Sequence, residues 1–229
     1  MSTSPLELSE SFNPKTHLLF KTTENGTFHE SRAGARLAER LLGNGHPDDI
    51  IQAEKTLDAT LNCQESHPDD PHYGNFYWMA EDDVVGDLNA VEFCLESLIP
   101  MMIDHGDRLS EPMRQRVLKA IRLGLDEVRR INVRVTYSNI TALDILNTCL
   151  GGELLNDPAI AQRGCDKLEE WMAYTDSNGT DGSSWGVFLQ QYDAQGNRID
   201  FLNPAAVQHN SVDDHTILTD DNRQQNFQR

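Results

Sequence analysis

The residues best suited to moving a proton lie in RRINVRVTYSNITALD, residues 129–144, where Tyr137 and Asn139 stand two apart just before a helix-like segment. A phenol works as acid or base near neutral pH only when its surroundings lower its pKa, as a positive field does. Arg114, Arg116, Lys119, Arg122, Arg129, Arg130 and Arg134 make this the basic region of an otherwise acidic chain. That field suits a substrate bearing a carboxylate. Tyr137 and Asn139 are therefore the candidate catalytic pair, with Arg130 and Arg134 as candidate anion ligands. The competing reading has the arginines facing water, paired with the abundant Asp and Glu, and Tyr137 packed against a helix.

A second cluster is HYGNFYWM, residues 72–79. Its apolar residues fit neither a helical stripe nor a strand alternation. A Tyr or Trp plane can stack on the apolar face of a sugar, while amides and carboxylates bond its hydroxyls. His72, Tyr73, Asn75, Tyr77 and Trp78 supply that mixture, and Gly74 lets the backbone turn. They are the candidate substrate-binding residues; the alternative is a connection pinned to the core by its aromatics. The neighbouring Asp69, Asp70, Asp82, Asp83 and Asp87 are oxygen donors, but their spacing matches no calcium loop. DSNGTDG, 176–182, places Asp181 where such a loop needs Gly and reads as a turn. No metal and no cofactor is expected. A nucleotide-binding glycine loop is missing.

These groups must be held by helices. Ala33, Leu37, Ala38, Leu41 and Leu42 are spaced for a first helix, and Pro47 with Asp48 and Asp49 opens a second, buried along Ile50, Ala53, Leu57 and Leu61. A third is expected from Val84, along Val84, Leu88, Val91, Leu95 and Leu98, with Glu92 on its surface and Pro100 limiting or kinking it. Ser110 caps a fourth that runs to about Arg130. A fifth follows Tyr137, with Thr141 and Asp144 as a local cap pair, and a sixth starts at Asp157-Pro158. No strand of weight is expected before residue 183. The fold class is all-α: antiparallel helical hairpins over 29–182, after a polar lead at 1–28. A β-hairpin at 183–202 and a flexible tail at 203–229 follow.

Composition narrows the partners. The 229 residues carry 19 Lys plus Arg against 37 Asp plus Glu, a net charge of −18. Such a surface repels phosphate backbones and anionic membranes, so neither nucleic acid nor membrane is an expected partner. No apolar leader is evident, and localisation is unknown, with cytoplasmic as the default expectation. Cys63, Cys94, Cys149 and Cys165 form no CxxC pair and read as buried free thiols.

DDPHYGNF, the D-x-N-A of GDLNAVEF, and the run from YSNITALD to TDSNG resemble bacterial and fungal helical-toroid proteins related to polysaccharide lyases and heparinase-like enzymes, over about 65–180. The resemblance implies a partial α/α toroid and β-elimination at uronic acids. In it, Tyr137 handles the proton, Asn139 and Asn75 polarise the uronate, and Trp78 stacks on a sugar. The family's rings contain more hairpins than the three counted here, so a second copy or another helical domain is an implied partner. The expected function is binding or eliminative processing of an acidic, uronate-containing glycan or a smaller carbohydrate. The alternative is a non-catalytic carbohydrate- or protein-binding scaffold.

Overall fold

The computed structural model describes residues 4–178. Within them lie β1 (Phe20–Thr23), β2 (Gly26–His29), α1 (Ser31–Asn44), α2 (Pro47–Leu61), α3 (Ala90–His105), α4 (Glu111–Ile131), α5 (Ser138–Leu154) and α6 (Pro158–Asn178). The described part is mostly helical, as its periodicity predicts. The β-hairpin expected at 183–202 lies outside the described residues.

α3 is the axis of the packing. It touches α1, α4 and α5, while α1 packs on α2 and α5 on α6. Its sequence explains that position: Val91, Cys94, Leu95, Leu98, Ile99 and Met101 occupy more than one face, and all are buried. A helix apolar around most of its circumference must be enclosed by others. α1 and α4 carry narrower stripes and face solvent on their polar sides. Pro47 occupies the first turn of α2, where its missing N–H costs nothing. Gly45, at φ 72°, ends α1, and its N–H reaches the Leu41 carbonyl at 3.2 Å.

Four expectations need correction. Residues 20–29 form an antiparallel hairpin pairing Phe20 with His29 and Thr23 with Gly26. Its strands are too short to show alternation in the sequence. The third helix begins at Ala90, not Val84; Val84 is 66% exposed, and Asp87 instead caps the turn that enters the helix by accepting from the Asn89 N–H at 2.9 Å. α3 continues past Pro100 to His105, so of the two expected effects the proline does not limit the helix. Ser110 stands at the start of α4 without a side-chain cap bond; its N–H donates to Glu54 Oε1 at 2.6 Å, tying α4 to α2.

α5 and α6 approach to backbone contact. A Cβ at Gly152 would lie 2.4 Å from the Ala161 nitrogen and 2.8 Å from its Cα. Backbone cannot swing aside as a side-chain tip can, so an added methyl must separate the helices. Gly152→Ala is expected to destabilise the fold by about 1–3 kcal/mol, the usual range for overpacking. Urea denaturation checks this, and an unchanged midpoint would refute the close approach.

Candidate functional site

The connection 62–89 between α2 and α3 has little regular structure, yet it is tightly held. Asn75 is fully buried and uses both ends of its amide. Its Nδ2 donates to the Leu88 carbonyl at 3.0 Å and to Glu127 Oε1 at 3.3 Å. Its Oδ1 accepts from the N–H groups of Phe76 at 2.7 Å and Val91 at 3.1 Å. One side chain thus joins the loop, the start of α3 and the C-terminal part of α4. Gln64 adds a second tie, donating to the carbonyls of Gly74 at 2.8 Å and Ala120 at 3.0 Å. Gly74, at φ 97°, presses on α4 so closely that a Cβ would stand 2.4 Å from the Leu123 oxygen. Farther along, the Ser31 hydroxyl donates to the Tyr77 carbonyl at 2.7 Å, fixing the loop to the start of α1.

The aromatic cluster divides around these anchors. Phe76 is wholly enclosed, whereas His72, Tyr73, Tyr77 and Trp78 are half-buried. Asn75, expected to bind ligand, faces no solvent and is a structural pin. His72 Nδ1 lies 3.4 Å from Glu127 Oε1. The Tyr77 hydroxyl donates to Glu65 Oε2, which pushes the phenol up to about 12 and holds the Glu65 carboxyl below its usual range. Trp78 meets Phe93 edge-to-face at 5.7 Å, and the Arg32 guanidinium covers the Phe93 ring at 4.1 Å. Asp69, Glu81 and Asp83 are exposed nearby. Asp70 and Asp82 cap local turns, accepting from the His72 N–H at 2.7 Å and the Met79 N–H at 2.9 Å. Among the described residues no three His, Cys, Asp or Glu side chains are placed to hold a metal ion.

The basic region is neutralised largely by local pairing. Arg114 pairs with Glu111 at 3.6 Å, Arg122 with Asp157 at 2.5 Å, and Arg129 with Asp126 at 3.5 Å. Arg116 binds Asp58 and reaches Asn62 Oδ1 at 2.6 Å. Arg130 pairs with Glu127 at 2.7 Å and donates to the Tyr73 carbonyl, which makes it another anchor of the loop. Arg134 is exposed, and its carbonyl accepts from the Thr141 hydroxyl at 2.9 Å. Tyr137 precedes α5 and is half-buried. Burial raises its pKa, the Asp87 carboxylate raises it further, and a hydrogen bond with Asn89 opposes both. These influences work against a phenolate, contrary to the lowering expected from the arginines. Asn139 is half-buried, with an Oδ1 that meets no hydrogen-bond donor.

The polar cluster hidden from sequence reasoning joins α3, α5 and α6. Glu92, expected on the surface, is buried, as is Asp144, expected to be a local cap. Asp144 instead takes a two-pronged bond from Arg163, at 2.5 and 3.0 Å, and pairs with Lys167 at 3.1 Å. Lys167 also donates to Asn132 Oδ1 at 3.1 Å and the Val133 carbonyl at 2.6 Å, closing the C-terminus of α4. Asn147 Nδ2 reaches Glu92 Oε2 at 2.9 Å. Burial, then the Asp144 charge, push Glu92 up to about 8, so it holds a proton at neutral pH. Glu92 Oε1 and Asn147 Oδ1 are both buried without a partner. The sequence signal was present: Asp144, Asn147 and Thr148 share the buried face of α5 with Ile140 and Gly151.

No protein-family model, curated protein or solved structure matches the chain. The likeness to toroid lyases therefore gains no support from comparison.

Two outcomes follow. Asn75→Ala strands several buried backbone groups, each costing about 1 kcal/mol or more, and should lower stability by about 3 kcal/mol in denaturant titrations. A loss below about 1 kcal/mol would show that the loop is held otherwise. For Glu92, the unfolded carboxyl loses its proton near its ordinary value while the folded one keeps it to about 8. Its contribution is therefore complete in acid and is lost as pH rises through that window. Glu92→Gln preserves the pairing with Asn147 without ionising. Its melting temperature relative to the unaltered protein should rise between about pH 5 and pH 8. A difference independent of pH would rule out the buried proton.

Proposed function

We propose that the helical domain is a non-catalytic binding module, and that residues 66–87 present its recognition surface to a basic, partly apolar segment of another protein. The supporting observation is the rigid anchoring of so long an irregular connection. Irregular loops beyond about 12–15 residues are uncommon in compact domains, and those that persist are usually functional. Asn75, Gln64, Gly74 and Arg130 hold this loop from beneath. Its outward side combines half-buried Tyr73 and Trp78 with exposed Asp69, Asp83 and Val84. Aromatic rings rimmed by carboxylates suit a cationic partner, because charge complementarity steers encounter and rings supply contact area.

The finer arrangement belongs to the same proposal. The short turns between α1 and α2 and between α5 and α6 support antiparallel hairpins of a partial α/α toroid. Eliminative processing of an acidic glycan has weaker support. Its arginines are paired with local acids, and the surroundings of Tyr137 raise the phenol's pKa. Carbohydrate stacking on Tyr73 and Trp78 is the smaller variant of the binding reading.

Calorimetric titration with a leucine–lysine peptide and with oligogalacturonate separates these readings. The peptide should bind, and Tyr73→Ala combined with Asp69→Asn and Asp83→Asn should weaken it about tenfold, roughly 1.4 kcal/mol. Glu169→Gln with Glu170→Gln, exposed on α6, should weaken it far less. Equal weakening by both sets would reduce the effect to net charge and overturn the assignment. Oligogalacturonate binding with release of an unsaturated uronide, detected by ultraviolet absorbance, would restore the eliminative reading.

A further inference from the structure

The seam between α5 and α6 holds two cysteines outside the proposed recognition loop. A Cβ built on Gly164 would lie 2.6 Å from Cys149 Sγ and 2.9 Å from the Cys149 backbone nitrogen. The Cys149 thiol therefore rests on the α6 backbone at the residue directly before Cys165. Gly152 allows a second backbone contact along the same seam, against Ala161. A disulfide spans Cα atoms about 4.4–6.8 Å apart, and across this seam the Cys165 thiol interacts directly with that of Cys149. Cys165 is exposed and Cys149 half-buried, so one thiol is open to reagents and the other sits behind it.

We propose that Cys149 and Cys165 form a redox modification site, closing a reversible intrachain disulfide that staples α6 to α5. A low-molecular-weight disulfide such as oxidised glutathione is the oxidant. The Cys165 thiolate attacks one glutathione sulfur, breaking that S–S bond and releasing the first glutathione thiolate, which takes up a proton. Cys149 gives its proton to solvent and attacks Cys165 Sγ in the mixed disulfide, releasing the second glutathione. The two cysteines lose two electrons, and oxidised glutathione gains them as two thiols.

The accessibility of the four cysteines sets this pair apart. Cys63 and Cys94 are enclosed in the core, and burial pushes each thiol up to about 12. They are inert in the folded protein. Burial first, and then the Cys165 thiol, raise the pKa of Cys149. That environment suits the partner that closes the bond after an exposed thiol has been captured.

The test incubates the folded full-length chain in glutathione buffers of increasing oxidised fraction. Free thiols are alkylated before denaturation and the tryptic peptides weighed. Cleavage places Cys149 in peptide 135–163 and Cys165 in peptide 164–167. The expected product is these two peptides linked, lighter by two hydrogens than their sum and released by dithiothreitol, with Cys63 and Cys94 unalkylated. In Cys149→Ser, Cys165 should carry glutathione and no linked peptide should appear. Three results would overturn the site: a glutathione adduct on Cys165 of the unaltered chain with no linked peptide, a Cys165–Cys165 link between two chains, or a link formed only where Cys63 and Cys94 have become reactive.

Discussion

The fold depends on one buried amide. Asn75 makes hydrogen bonds to Leu88, Phe76, Val91 and Glu127, and through them a loop, the axial helix and α4 share a single fixed geometry. A buried polar group is stabilising only when its bonding capacity is filled, so this arrangement admits little adjustment. Glu127 is likewise held, accepting from Asn75 and pairing with Arg130. Arg130 then returns to the loop at the Tyr73 carbonyl. The circuit closes on itself, linking α4 to the segment that covers it.

A second polar circuit holds the other side of α3. Asp144 and its two cations fasten α6, while Glu92 and Asn147 join α3 to α5. The circuits differ in charge. Around Asp144, buried charge is matched by Arg163 and Lys167; at Glu92 it is avoided by retaining a proton. Burial of an unmatched carboxylate would cost several kcal/mol, and protonation is the cheaper route.

Helices were legible where local rules act. Pro47 marks the start of α2, Asp157-Pro158 that of α6, and the segment after Tyr137 becomes α5. The β1–β2 hairpin was not, because four-residue strands give alternation too little length to register. The entrance to α3 is obscured in the sequence for another reason: Val84 and Leu88 continue its spacing, but the turn closed by Asp87 intervenes. The chemistry of 72–78 was partly legible in residue type and not in direction. Nothing local distinguishes an Asn that faces a ligand from one that holds a backbone, since the partners of Asn75 on α4 lie about fifty residues away. The burial of Glu92 and Asp144 is equally invisible locally, because it depends on helices that arrive later in the chain.

The anchored loop also sets how such a sequence can drift. Over residues 66–69, and again over 83–86, the backbone runs along the surface. Lineages can lengthen, shorten or rewrite those two spans without disturbing the helices. Gly74, Asn75 and Glu127 lack that freedom, and a change at one calls for compensation at another. Partner choice can therefore diversify on a scaffold whose interior stays the same.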